Sequence, residues 1–272
     1  FDFKSFGFVK PRPRGGGSDL RRHAVGILPP IDKLGNAAVA LGYVNMISET
    51  NGGARNELTA INLHGDVYPS LSVAAVAAYL GKLPDEITLD LGSEAGSYAI
   101  QIADRRIPID DQARTVVNYY GPKKTFKAWP LADIVAKRFP PGAFKGKIVF
   151  VGATLTALHD EAESPFGIVP GVERHATLAE RILDGPLLVE PPYAWAINLA
   201  VLVVLGLIAA LLTARLPAGG GIFGTVVLIG LWWVAVYLAL FPGGILLSFV
   251  YPAVAVLLNF LAITILRIVR EE

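Results

Sequence analysis

Residues 190–267 read EPPYAWAINLAVLVVLGLIAALLTARLPAGGGIFGTVVLIGLWWVAVYLALFPGGILLSFVYPAVAVLLNFLAITILR, and between Glu190 and Arg267 the only charged side chain is Arg215. A charge at the centre of a bilayer costs roughly 2.5–3.5 kcal/mol on insertion scales, so an apolar run this long belongs in lipid. One span needs about 20 residues, and the run has the length of three. It divides at Thr213–Gly221 and at Phe241–Gly244, where Pro and Gly cluster. The expected spans are residues 193–214, 222–241 and 245–266, with 267–272 emerging beyond them.

Three spans place the two ends on opposite sides of the membrane. Arg215 falls on the same side as Arg267 and Arg270, while the other short loop is uncharged. The positive-inside rule makes that side cytoplasmic and sends residues 1–190 outside. Tyr193 and Trp195 suit an aromatic belt at the outer mouth of the first span. Asn198 and Asn259 are expected to hydrogen-bond between helices, because no Asp, Glu, Lys or His accompanies them to form an ion path. Pro252 is expected to kink the third span, and Trp232-Trp233 to pack at mid-span. Gly220 and Gly224 have the G-x-x-x-G spacing of a helix dimer, at a helix start.

Residues 1–190 form a polar domain of balanced charge. Of 24 Lys and Arg and 23 Asp and Glu, 21 of each lie there. A domain without a basic stripe argues against nucleic-acid binding. The absence of Cys removes disulfides, thiolate metal sites and cysteine nucleophiles. The chain opens on Phe1 with neither Met nor a leader, and the expectation is a fragment of a longer exported protein.

Strand and helix patterns alternate along this domain. Phe1–Ser18 reads as an irregular basic loop. Strands are expected at 42–47, 58–64, 87–91, 98–103, 106–109 and 115–119, with turns at Gly65-Asp66 and Asp104-Arg105. Lys147–Gly152, a continuous apolar run, reads as the clearest buried strand. Helices are expected at 70–80, 131–139 and 171–183, the last two ended by Pro140-Pro141 and Gly185-Pro186. The fold class is mixed α/β, helices flanking a mixed sheet, followed by three transmembrane helices.

Catalytic patterns are thin. The strand ending at Gly152 followed by Thr154 is similar to the opening of a nucleotide site, yet neither a dinucleotide fingerprint nor a phosphate loop is present. His159, Asp160, Glu161, Glu163 and His175 are metal-ligating types without a recognised spacing, better read as a solvated loop or cap. Ser164 or Ser93 lacks a nucleophile elbow. Asp110-Asp111 reads as a turn cap. No catalytic residue, metal or cofactor is assigned.

Several segments together resemble one family. These are Gly42-Tyr-Val-Asn45, Asn51-Gly-Gly-Ala-Arg55, Tyr68-Pro-Ser-Leu71, Ile107-Pro-Ile-Asp110, Val117-Asn-Tyr-Tyr-Gly121 and Lys145-Gly-Lys-Ile-Val-Phe-Val-Gly152. Asp160, Ser164-Pro165 and Pro170-Gly-Val-Glu-Arg-His-Ala176 follow in the same order. The whole resembles the type-2 CHASE domain, an extracellular sensory domain found before class III adenylate/guanylate cyclases, histidine kinases and Ser/Thr kinases, with three spans behind it. Glu49, Asn51, Ser164 and Thr177 differ from the residues that family favours. Phe1–Pro30 resembles the domain's middle, so its opening third is expected to lie outside this chain.

The resemblance implies a signal-input module. It would sense an extracytoplasmic small molecule or condition, work as a homodimer, and regulate a C-terminal cytoplasmic output domain. A cyclase is the favoured output, and a histidine or Ser/Thr kinase the alternative. A membrane-anchored exported enzyme or a subunit of a membrane complex is the competing class. Ligand contacts are expected at Tyr119, Gly152, Thr154, Asp160 and His175, near strand ends and helix starts where α/β sheets open crevices.

Overall fold

The computed structural model describes residues 24, 26–45, 55–63, 65–82, 86–91, 98–154, 160–191, 193–240 and 243–271. The chain forms two compact units, Phe1–Leu187 and Leu188–Glu272. The first is mixed α/β. A short helix α1 (Asp32–Gly35) precedes β1 (Asn56–Leu58), β2 (Ala60–Leu63) and β3 (Asp66–Pro69), which run into α2 (Leu71–Tyr79). Then come β4 (Thr88–Asp90), β5 (Ala99–Ile102), β6 (Arg105–Pro108), β7 (Arg114–Val116), α3 (Leu131–Val135), β8 (Glu161–Ser164), β9 (Gly167–Pro170) and α4 (Gly171–Asp184). The described strands form small antiparallel sheets, β1–β7, β2–β3, β4–β5–β6 and β8–β9.

One apolar core joins these pieces. Leu58, Val73, Val76, Ile87, Leu89, Ile100, Ile102 and Ile107 meet Leu178 and Ile182 of α4, so α2 and α4 both lie against the strands. The start of α2 is fixed by close backbone contact. Ser70 caps it, accepting from the Val73 N–H at 3.4 Å, and Leu71 N–H donates to the Tyr43 carbonyl at 2.9 Å. A Cβ on Gly42 would sit 2.6 Å from Leu71 Cα, so only glycine lets the two segments touch. That contact gives a physical reason for the glycine of Gly42-Tyr-Val-Asn45.

Several expected elements are shorter than their sequence patterns, each for a local reason. Tyr43 makes a single parallel bridge to Ser70, and Met46-Ile47 lie outside the described residues, as do Phe1–Ser18 and His64. The run 58–64 divides at Thr59, whose N–H and hydroxyl both donate to the Ala113 carbonyl, sending β1 to β7 and β2 to β3. β7 stops at Val116, and Val117 N–H makes a last bond to Arg55, because partner β1 begins at Asn56. The hairpin turn falls on Ala103-Asp104, one residue earlier than expected, with Ala103 at φ 52°. α3 ends at Val135, where Lys137 adopts φ 55° and Arg138 N–H reaches back to the Asp133 carbonyl, a left-handed helix stop.

Lys147–Gly152 is the largest correction. The segment is not a buried strand. Among the described residues no strand pairs with it, and only one of its faces is covered: Ile148 and Phe150 pack on the core, whereas Val149 and Val151 are 48% and 78% exposed. The continuous apolar run reads as a strand covered on both faces, and this one is covered on one.

The second unit consists of α5 (Ala194–Arg215), α6 (Ala218–Leu240) and α7 (Val250–Glu271). All three are long and apolar enough to cross a membrane, which makes the chain a multi-pass membrane protein. α7 begins five residues later than the expected third span. Ile245 is held instead in a parallel bridge to Val189, with Val189 N–H donating to Gly244 and Leu246 N–H donating to Val189, both at 2.8 Å. Pro252 therefore lies in the first turn of α7, where its missing N–H has no partner to lose, and α7 runs on past it as one helix. Gly224 and Gly220 serve packing within the bundle, since added Cβ atoms would meet Leu212 at 3.0 Å and Leu216 at 3.2 Å. Asn259 donates to the Gly206 carbonyl across α5 and α7, as expected. Asn198 Oδ1 and Trp232 Nε1 are buried with no hydrogen-bond partner.

Candidate functional site

α4 organises every candidate residue that the structure brings together. β9 delivers the chain to Pro170, and Gly171 starts the helix with its N–H donating to the Asp160 carbonyl at 2.9 Å. The Asp160 side chain stands over Gly171, in the space a Cβ there would take. Gly152 lies on Val172, and a Cβ on Gly152 would come within 2.6 Å of Val172 Cβ. Glu173 in the first turn suits the positive end of the helix dipole. Both its oxygens accept from Lys124 N–H at 2.9 Å.

One turn on, Arg174 and His175 face inward and meet Glu57 of β1 and Ser72 of α2. All four side chains are buried. The Ser72 hydroxyl donates to Glu57 Oε1 at 2.7 Å, and His175 Nδ1 lies 3.1 Å from Ser72 Oγ and 3.2 Å from Glu57 Oε1. Because the serine hydrogen goes to the carboxylate, Nδ1 must carry its own hydrogen to satisfy both oxygens. A hydrolytic triad instead places serine and carboxylate on opposite ring nitrogens. This cluster therefore clamps β1, α2 and α4 together and lacks the triad arrangement.

Arg174 completes the cluster at longer range, with Nε 4.0 Å from Glu57 Oε2. Those two atoms, and the hydroxyl of Thr115 opposite Glu57 in the β1–β7 ladder, have no hydrogen-bond partner. Burying two ions costs several kcal/mol each, and their attraction repays it only with good geometry. Around them, burial pushes the Tyr119 phenol up to about 12, with the Arg174 charge opposing and the Glu57 charge adding to the rise. Tyr43, whose hydroxyl donates to the Leu58 carbonyl, is raised well above the ordinary value by burial and then by Glu57, against Arg174.

Tyr119 also borders a small pocket beside α4, with Tyr120, Phe126, Glu173 and Thr177 on its walls. Arg181 lies over the Tyr120 ring, 3.6 Å from its centre. Of the five expected contacts, then, Gly152 and Asp160 flank the first turn of α4. His175 is buried one turn further, and Tyr119 lies beside the same helix. Thr154 is exposed two residues beyond Gly152. His159, Ser93 and Asn51–Ala54 lie outside the described residues, and no metal-binding group of three His, Asp or Glu occurs among the described ones. Ser164 shapes the β8–β9 turn, donating to the Gly167 carbonyl. Asp110 caps a turn as expected, accepting from Gln112 and Arg114 N–H.

Glu57, Ser72 and Arg174 were not singled out from sequence as a site. The available signal was a lone acid in the apolar run Glu57–Leu63 and a lone base on the buried face of α4. Distance in the chain hid their meeting.

Residues 11–213 match the family model of the CHASE2 domain, and the chain belongs to that family. CHASE2 is an extracellular sensor domain rather than a catalytic one. No curated protein and no solved structure matches the chain.

Proposed function

We propose that the chain is the input half of a transmembrane receptor. Residues 1–190 sense an extracytoplasmic stimulus, residues 191–266 transmit it, and residues 267–272 begin a linker to a cytoplasmic output domain. Family membership together with three consecutive apolar helices is the observation that carries this reading. The Arg267 guanidinium donates to the Leu216 carbonyl at 3.0 Å. Arg215 and Arg267 are thus at one end of the bundle, where the positive-inside rule wants its cytoplasmic charges. Arg270 follows one turn later on the same helix. α7 continues unbroken to Glu271, which suits an output domain joined through a helix, such as a class III adenylate/guanylate cyclase working as a homodimer.

The first turns of α4 are the proposed receptor of the stimulus. Tyr119, Asp160, Gly152 and His175 gather there, with Thr154 nearby, and a ligand seated on that end would act on the buried Glu57–His175 clamp. Binding shifts the receptor only by its difference in affinity between two arrangements, and a tenfold change in output needs about 1.4 kcal/mol.

Two observations test the reading. The sequence after Glu272 is expected to encode a catalytic domain with two metal-binding aspartates, and a stop codon there would sink the receptor. The chain has no Cys, so single cysteines at Thr125, Gly219 and Gly243 can be probed with an impermeant maleimide on intact cells. Labelling is expected at 125 and 243 only. Labelling at 219 alone would invert the topology and refute an outside sensor.

A further inference from the structure

We infer that α5 and α7 move as one body, joined by polar links at three levels, so that a displacement leaving the first unit reaches α7 directly. The outermost link is the bridge between Val189, just before α5, and Gly244–Leu246, just before α7. The middle link is Asn259 Nδ2 donating to the Gly206 carbonyl at 2.6 Å. The third, at the Arg215 end, is Arg267 donating to the Leu216 carbonyl, the residue that ends α5.

α6 is attached differently. It meets α5 through small residues, Gly224 against Leu212 and Gly220 against Leu216, and the Thr225 hydroxyl turns back to Gly221 in its own helix. The α5–α7 contact adds to packing a set of hydrogen bonds between the two helices and their flanking segments, and a hydrogen bond in hydrocarbon has no water to replace it. A pull or rotation at Val189 therefore bypasses the 22 residues of α5 and 23 of α6 that precede α7 in the chain. α6 serves as the return crossing, and the α5–α7 pair is the moving part.

This inference rests on the receptor reading for its purpose, and its test does not. Spin-label pairs on cysteines replacing Leu207 and Leu258, and Leu207 and Val226, would be measured by pulsed distance spectroscopy on the full chain in lipid nanodiscs. The α5–α7 pair is expected to give one narrow distance and the α5–α6 pair a broader one. Asn259→Leu should raise the separated α5–α7 population about three- to eighteenfold, the range of a membrane interhelical hydrogen bond. Arg267→Met should act in the same direction, and Thr213→Ala, whose hydroxyl bonds only to Ala209 of its own helix, should change nothing. An α5–α7 distance no narrower than α5–α6, or unmoved by both Asn259→Leu and Arg267→Met, overturns the inference. The two single variants keep the test decisive should either fail to fold. A tight pair in a chain whose first unit answers no stimulus would count against the receptor and leave the coupling standing.

Discussion

The two units of this chain expose different residues and bury different polar groups. In the first, Ile87, Leu89, Ile100 and Ile107 are inside, and a complete charged pair, Glu57 with Arg174, is inside with them. In the second, Leu207 and Trp233 are 67% and 54% exposed, while Ala209, Thr213 and Thr225 are buried beside Leu228 and Val256. Water drives large apolar side chains inward; lipid does not, so close packing by small residues and a few neutral hydrogen bonds takes over. A polar contact thus has a different weight in each unit.

The largest effect tests that contrast head-on. Arg174→Met removes the cation beside the buried Glu57, and should cost the first unit about 3–5 kcal/mol. Asn259→Leu in the second should cost about 0.6–1.7 kcal/mol. Urea titration of the full chain in detergent, followed by tryptophan and tyrosine signals, measures both, and equal costs would erase the distinction. Next in size, Gly152→Val drives a side chain into Val172 and should cost about 1–3 kcal/mol, read as a lowered midpoint with unchanged slope.

Alkali separates the units again. The Tyr119 phenol is raised in the folded state to about 12. The unfolded chain gives up its proton first, so this contribution is intact below about pH 10 and is lost as pH rises through about 12. Tyr119→Phe should flatten the loss of first-unit stability over that window, and an unchanged profile would remove Tyr119 from the buried cluster. The smallest expected effect is a gain. Ala103→Asn places a residue that tolerates positive φ in the β5–β6 turn and should add about 0.5–1 kcal/mol by thermal melting.

The sequence made the membrane unit legible because composition alone sets it: 78 residues with one internal charge need no partner to declare themselves. Even so, the start of α7 was hidden, since Ile245–Phe249 is nearly as apolar as the helix that follows, and the pairing of Ile245 with Val189 keeps the helix from starting there. In the first unit, local chemistry was readable where it was local. Ser70 caps α2 and Asp110 caps its turn as the spacing suggests. What pairs at long range was not. Glu57 meets His175 across a separation of 118 residues, and no periodicity records that.

Lys147–Gly152 carries a practical consequence for anyone handling the first unit alone. With Val149 and Val151 exposed and no described strand paired to it, the Ile-Val-Phe-Val segment is open to strand addition between molecules. Cut from its membrane helices, this unit should form β-rich aggregates at the concentrations crystallisation requires. A single lysine at Val149, on the outward side, would act as a gatekeeper without disturbing Ile148 or Phe150.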